Sequence, residues 1–128
     1  MSLWILAELL HVVLATTLWP LRWTAWGKKR LAFERRRDPT KLSADWAFEV
    51  SSEGEWEQVR PWATELLSRG RRLEIIFSSE SVERGLLQLQ QRHPERVRLL
   101  RLPLLAPSLG AVERFLTAPV LVMCRYDF

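Results

Sequence analysis

From Leu3 to Leu21 the chain reads LWILAELLHVVLATTLWPL, an almost unbroken apolar run, whereas the later apolar segments are short and alternate with polar ones. As a single helix this run is roughly 28 Å long, close to the thickness of a bilayer's hydrocarbon core. Trp4 near one end and Trp19, Trp23 and Trp26 at the other match the aromatic belts found at headgroup depth, where an indole keeps its N–H wet and its ring dry. A helix over residues 1–26 that attaches the chain to a membrane is the expected outcome. Glu8 and His11 lie three apart on one face and are costly at mid-membrane unless they pair, so a helix lying in the interface stands beside a full span.

Past a basic stretch at 27–44 the pattern changes to short β-branched or aromatic runs separated by amphipathic ones. Trp46-Ala47-Phe48-Glu49-Val50 predicts a strand, and Ser51-Ser52-Glu53-Gly54 predicts a turn and helix start. Trp56, Val59, Ala63, Leu66 and Leu67 then recur at helical spacing up to Gly70, with Pro61 expected to bend that helix or free one carbonyl. A second strand is predicted over Leu73–Phe77, and a helix carrying Val82, Leu86 and Leu89 ends at His93-Pro94. Further strands fit 97–102 and 120–124, with a short helix at 109–116 between them. Strands alternating with helices predict an α/β domain over 45–128 built on an open parallel sheet. Sites in such sheets lie at the carboxyl ends of strands, here 51–55, 78–81, 102–105 and 125–128.

Charge refines this picture. The net charge is +4, yet residues 1–21 carry only Glu8, and residues 22–37 hold Arg22, Lys28, Lys29, Arg30, Arg35, Arg36 and Arg37 against Glu34. The remainder is close to neutral. A phosphate-tracking surface needs more than one such cluster, so no nucleic-acid partner is expected. Bases that follow the apolar run belong with the anionic cytoplasmic leaflet, so the downstream domain is expected to face the cytoplasm. A secretory signal peptide has the opposite order, bases first and small residues at the exit, where Trp19-Pro20-Leu21 stands here. A single cysteine, Cys124, far in sequence from His11 and His93, gives neither a disulfide nor a metal-ligand spacing.

The chemistry of the strand ends is sparse. Neither G-x-G-x-x-G nor G-K-[ST] occurs, neither histidine sits at a strand end, and no cofactor is expected. The most polar loop carries Glu53, Glu55 and Glu57, and acids in a helix's first turn are favoured by the helix dipole whatever the protein does.

The ordered set of pieces resembles the N-terminal half of the Kdo (3-deoxy-D-manno-octulosonic acid) transferases. These pieces are the apolar and basic start, Ser52-Glu53-Gly54-Glu55 with Pro61 seven residues after the glycine, the serine turn after Phe77, Leu102-Pro103, and Ala111-Val112-Glu113-Arg114-Phe115-Leu116. The resemblance implies a Rossmann-like open sheet forming half of a GT-B glycosyltransferase, metal-independent and inverting. Its acceptor would be a lipid A precursor of lipopolysaccharide biosynthesis, and its donor CMP-Kdo. Glu55 would be the catalytic base, and Ser52, Gly54, Arg125 and Asp127 would contact the acceptor. Arg125 stands where the family has an acid, Glu49 where it usually has His, and Glu53 at a position usually apolar. With the chain ending at Phe128, the resemblance implies that the CMP-Kdo-binding half is absent and that the chain alone transfers no sugar. A non-catalytic membrane adaptor or lipid-binding remnant of the same fold is the alternative.

Overall fold

The structure is a computed structural model that describes residues 3–106 and 110–124, with the side chains of Leu6 and of residues from 9 onward. The apolar run is not one helix. Helix α1 covers Leu3–Thr17, a 3-10 turn covers Trp19–Trp23, and α2 covers Ala25–Arg35. The break has a local cause: Pro20 has no N–H for the α-helical ladder and disfavours helical backbone at the residue before it. Leu18 N–H still reaches the Leu14 carbonyl at 2.9 Å, after which Leu21 N–H closes a tighter turn on the Leu18 carbonyl at 3.0 Å. At 15 residues α1 is about 22 Å long, and among the described residues no helix is long and apolar enough to cross a membrane. The single continuous helix expected over residues 1–26 is thereby corrected. The expected Glu8–His11 pairing falls on a Glu8 side chain outside the described set.

The chain divides into two compact units, Met1–Arg37 with Arg101–Arg114, and Asp38–Leu100 with Phe115–Phe128. In the first, Thr24 caps α2 by accepting the Gly27 N–H at 3.0 Å. Glu34, buried near the end of α2, accepts the Leu105 N–H at 2.9 Å and the Ala106 N–H at 2.7 Å, while Arg30 Nε donates to its other oxygen at 2.6 Å. Arg30 also donates to the Leu102 carbonyl at 3.3 Å, and Arg22, stacked 4.0 Å over the Trp19 ring, donates to the Leu105 carbonyl. Four groups of residues 102–106 are thus held by side chains from 22–34.

The second unit contains the sheet, with parallel strands β1 (Trp46–Val50), β2 (Leu73–Phe77), β3 (Val97–Arg101) and β4 (Leu121–Met123) in the order β3-β2-β1-β4. Register pairs Phe48 with Ile75 and with Val122. Helices α3 (Glu53–Ser68) and α4 (Glu80–Arg92) follow β1 and β2, while α5 (Ala111–Phe115), which belongs to the first unit up to Arg114, precedes β4 along the chain. Helix α3 continues past exposed Pro61, while Trp62 packs edge-on against Trp46 and Phe48 at 5.5 Å between centroids. All of β2 is buried, as an inner strand of a covered parallel sheet requires.

Within β2, Glu74 is fully buried and accepts the Thr117 N–H at 2.8 Å, the Thr117 hydroxyl at 2.7 Å and the Ala118 N–H at 3.2 Å, with Arg98 Nη1 at 3.5 Å. Asp38 serves the edge strand β3 in a similar way, accepting the Leu99 N–H at 2.8 Å and the amide of Gln90. Partial burial alone would raise the Asp38 pKa, but hydrogen bonds from Thr40, Leu99 and Gln90 together outweigh it and hold the carboxyl below its ordinary value of 3.8. A carboxyl depressed in the fold stabilises above its unfolded pKa and loses that contribution as pH falls through the folded value. The sheet unit should therefore lose stability on acidification below about pH 4. Denaturation of Asp38→Asn should show a lower midpoint at neutral pH and a flatter acid limb; an unchanged acid limb would remove Asp38 from this role.

Candidate functional site

In the order β3-β2-β1-β4, the chain steps from β1 through β2 to β3 in one direction and then crosses back to lay β4 on the other side of β1, so the crevice beyond the carboxyl ends of β1 and β4 is the topological switch point. The residues there are Glu49, Ser51, Ser52, Gly54 and Glu55 from β1 and the start of α3, Gln58 one turn on, and Cys124 after β4. Ser52 caps α3, its Oγ accepting the Glu55 N–H at 3.2 Å. Glu55 returns a carboxylate oxygen, Oε2, to the Ser51 N–H. This near-reciprocal arrangement is a capping box displaced by one residue, and it explains why Ser and Glu stand three apart. It leaves Glu55 only 7% exposed, with no hydrogen bond to Oε1 among the described residues.

The hydroxyl of Ser51 donates to Glu49 Oε1 at 3.0 Å, so one serine ties two carboxylates together. Cys124 N–H reaches the Glu49 carbonyl at 3.3 Å and its thiol lies 3.4 Å from Gln58 Oε1, joining the end of β4 to α3. The sequence pattern did not single out Gln58. No local motif marks it, because its place depends on β4 pairing beside β1. Gly54 lies in the first turn of α3, exposed and without a positive φ. Backbone conformation does not demand glycine there, and its effect is to leave the helix start uncovered by a side chain.

The structure thus brings Ser52, Gly54 and Glu55 together. Arg125 and Asp127, expected on the acceptor side, lie outside the described residues, as does the Trp4 side chain. Trp19, Trp23 and Trp26 are all exposed, Trp23 to 72%. Among the described residues no group of three or more His, Cys, Asp or Glu side chains is arranged to hold a metal ion. A separate concavity of about 310 Å³ between α3 and α4 is lined by Glu57, Arg60, Arg84 and Arg92 over Trp56, with Arg60 and Glu57 paired at 2.7 Å. Its mixed charges are those of a solvated seam between helices.

Fold and site define an α/β protein with a four-stranded parallel sheet, consistent with a Rossmann-like fold, whose most polar strand end is the first turn of α3. No protein-family model, curated protein or solved structure matches the chain.

Proposed function

We propose that this chain is the acceptor-side portion of a membrane-attached, Kdo-transferase-like inverting glycosyltransferase working at the cytoplasmic face of the inner membrane. The observation that supports the reading best is Glu55: at the switch point, anchored through Oε2, with Oε1 carrying no protein hydrogen bond among the described residues. A carboxylate fixed in this way can take the proton of an acceptor sugar hydroxyl as that oxygen bonds to the anomeric carbon of CMP-Kdo and CMP departs. The lipid A precursor would be presented from the bilayer to which the N-terminal helices attach.

The test uses the chain together with a CMP-Kdo-binding half and a detergent-dispersed lipid A precursor. Glu55→Gln keeps an acceptor oxygen for the Ser51 N–H, so it should fold and bind acceptor, while turnover falls at least about 100-fold. A folded Glu55→Gln protein with near wild-type turnover would falsify the assignment. The 128-residue chain by itself is expected to bind acceptor without transferring sugar; Kdo transfer by it alone would overturn the acceptor-side reading.

One observation favours a second reading, a non-catalytic lipid-binding adaptor. The burial of Glu55 and its bond to Ser51 give it a complete structural role as a cap. In that case acceptor binding persists while no donor half restores transfer.

A further inference from the structure

We infer that α1 is a monotopic anchor that lies within one leaflet of an anionic bilayer, rather than crossing it, and that the outward face of α2 reads the lipid charge. The inference deepens the membrane attachment in the reading above and rests on it, but it does not depend on sugar transfer. Three observations in the first unit carry it.

The first is the shape of the apolar surface. Leu6, Leu9, Leu10, Val12, Val13 and Leu14 are each between 39% and 57% exposed, while Ala15 is buried and His11 half-buried. At 3.6 residues per turn the six exposed side chains sweep a continuous arc of roughly 200°, and His11 and Ala15 occupy the remaining side. Among its described side chains this helix is covered only along the narrow His11–Ala15 stripe and, Thr16 and Thr17 apart, is apolar over the rest, which in aqueous solution leaves an uncovered patch larger than isolated surface leucines explain.

The second is the treatment of its polar groups. Thr16 and Thr17 lie within that arc, and both hydroxyls donate back to the helix: Thr16 to the Val12 and Val13 carbonyls at 2.8 Å, Thr17 to the Val13 carbonyl at 2.9 Å and to the Leu14 carbonyl at 3.0 Å. In hydrocarbon an unsatisfied hydroxyl is costly, and back-bonding removes that cost. The helix stops at Thr17, about 22 Å from its start, and a 3-10 turn with exposed Trp19 and Trp23 follows. That length suits burial along the plane of one leaflet, with indoles at headgroup depth.

The third is the distribution of charge. Arg22 and Arg30, though part of the basic cluster, are bonded to the carbonyls of Leu105 and Leu102 and to Glu34. Lys28 and Arg35 are exposed and seven residues apart, on the face of α2 opposite buried Phe33 and Glu34. A protein partner or a second copy of this chain would cover the apolar arc equally well, but neither accounts for the exposed cations Lys28 and Arg35 on a helix that follows directly in the chain on exposed Trp19 and Trp23. An anionic bilayer accounts for both.

The test is co-sedimentation of the full chain with phosphatidylcholine vesicles, with and without phosphatidylglycerol. Binding is expected to be strong only with the anionic lipid and to weaken with salt. The double variant Lys28→Gln, Arg35→Gln changes exposed side chains only and should reduce affinity roughly 30-fold, at about fivefold for each cation near the surface. Depth is read separately from nitroxides placed through Leu6→Cys, Leu10→Cys and Leu14→Cys in a Cys124→Ser background. Three similar depths, about 5–10 Å below the phosphates, are expected. Depths that change steadily by about 6 Å from one label to the next describe a crossing helix and overturn the monotopic placement. Equal affinity for neutral vesicles overturns the charge reading. Absence of vesicle binding, with concentration-dependent association of the chain lost in Leu9→Glu, assigns the arc to a second copy instead. If vesicles bind as expected while Glu55→Gln leaves transfer intact, the anchor stands and the assignment of the base falls.

Discussion

Glu74→Ala is expected to destabilise the sheet unit by about 3–5 kcal/mol, the range for removing one partner from a buried, hydrogen-bonded charge pair. Four donors lose their acceptor at once: the N–H and hydroxyl of Thr117, the Ala118 N–H and the guanidinium of Arg98. Among the described residues Arg98 then keeps its stacking on Phe115, 4.3 Å away, and a long bond to the Phe115 carbonyl at 3.3 Å. These contacts tie the segment that leads into β4 to the middle of the sheet, so the damage should reach the β1–β4 crevice. Urea denaturation gives the free energy, and amide exchange at Thr117 and Ala118 locates it. Glu74→Gln retains one acceptor oxygen and should cost less. An alanine variant within about 0.5 kcal/mol of wild type would mean that water reaches these donors in the folded protein.

Gly27→Ala should be comparably damaging in the other unit, by about 3 kcal/mol or more. A Cβ on Gly27 would lie 1.8 Å from the Leu21 carbonyl oxygen, 2.6 Å from the Leu21 carbonyl carbon and 2.9 Å from the Arg22 Cα. All three are backbone atoms, and the 3-10 turn that carries them cannot yield by a rotamer change. Either α2 moves away from the turn or the turn unwinds. Since α2 carries Glu34 and the turn carries Arg22, either movement should raise amide exchange at Leu105 and Ala106, nearly eighty residues along the chain. Unchanged exchange there, together with an unchanged unfolding midpoint, would show that the turn and α2 tolerate separation.

The sequence made legible what periodicity controls. The strands at 46–50 and 73–77, the helices around their following loops and the capping serines appear where hydrophobic spacing and turn chemistry put them. So did the grouping of Ser52, Gly54 and Glu55, because a strand, a cap and a first turn are all local. The end of α1 was misread, since hydropathy runs on through Leu18 and Trp19 while Pro20 changes the backbone. Glu34, Asp38 and Glu74 were passed over because an acid's burial depends on partners about 70 residues away for Glu34, 52 and 61 for Asp38, and 43 and 44 for Glu74. One signal was present: an acid inside Leu73-Glu74-Ile75-Ile76-Phe77, a run otherwise apolar from end to end.

The carboxylate of Glu34 also bears on how this protein can be cut. An apolar, basic N-terminus invites removal to obtain a freely soluble sheet domain beginning at Asp38. Residues 101–114 nevertheless belong to the same compact unit as residues 1–37. Such a truncation would strip the Leu105 and Ala106 amides of their acceptor, the Leu105 and Leu102 carbonyls of their arginine donors, and Arg101 of both the Arg36 carbonyl and the Phe33 ring. The N-terminal helices are one half of a clasp whose other half is sewn into the far end of the chain.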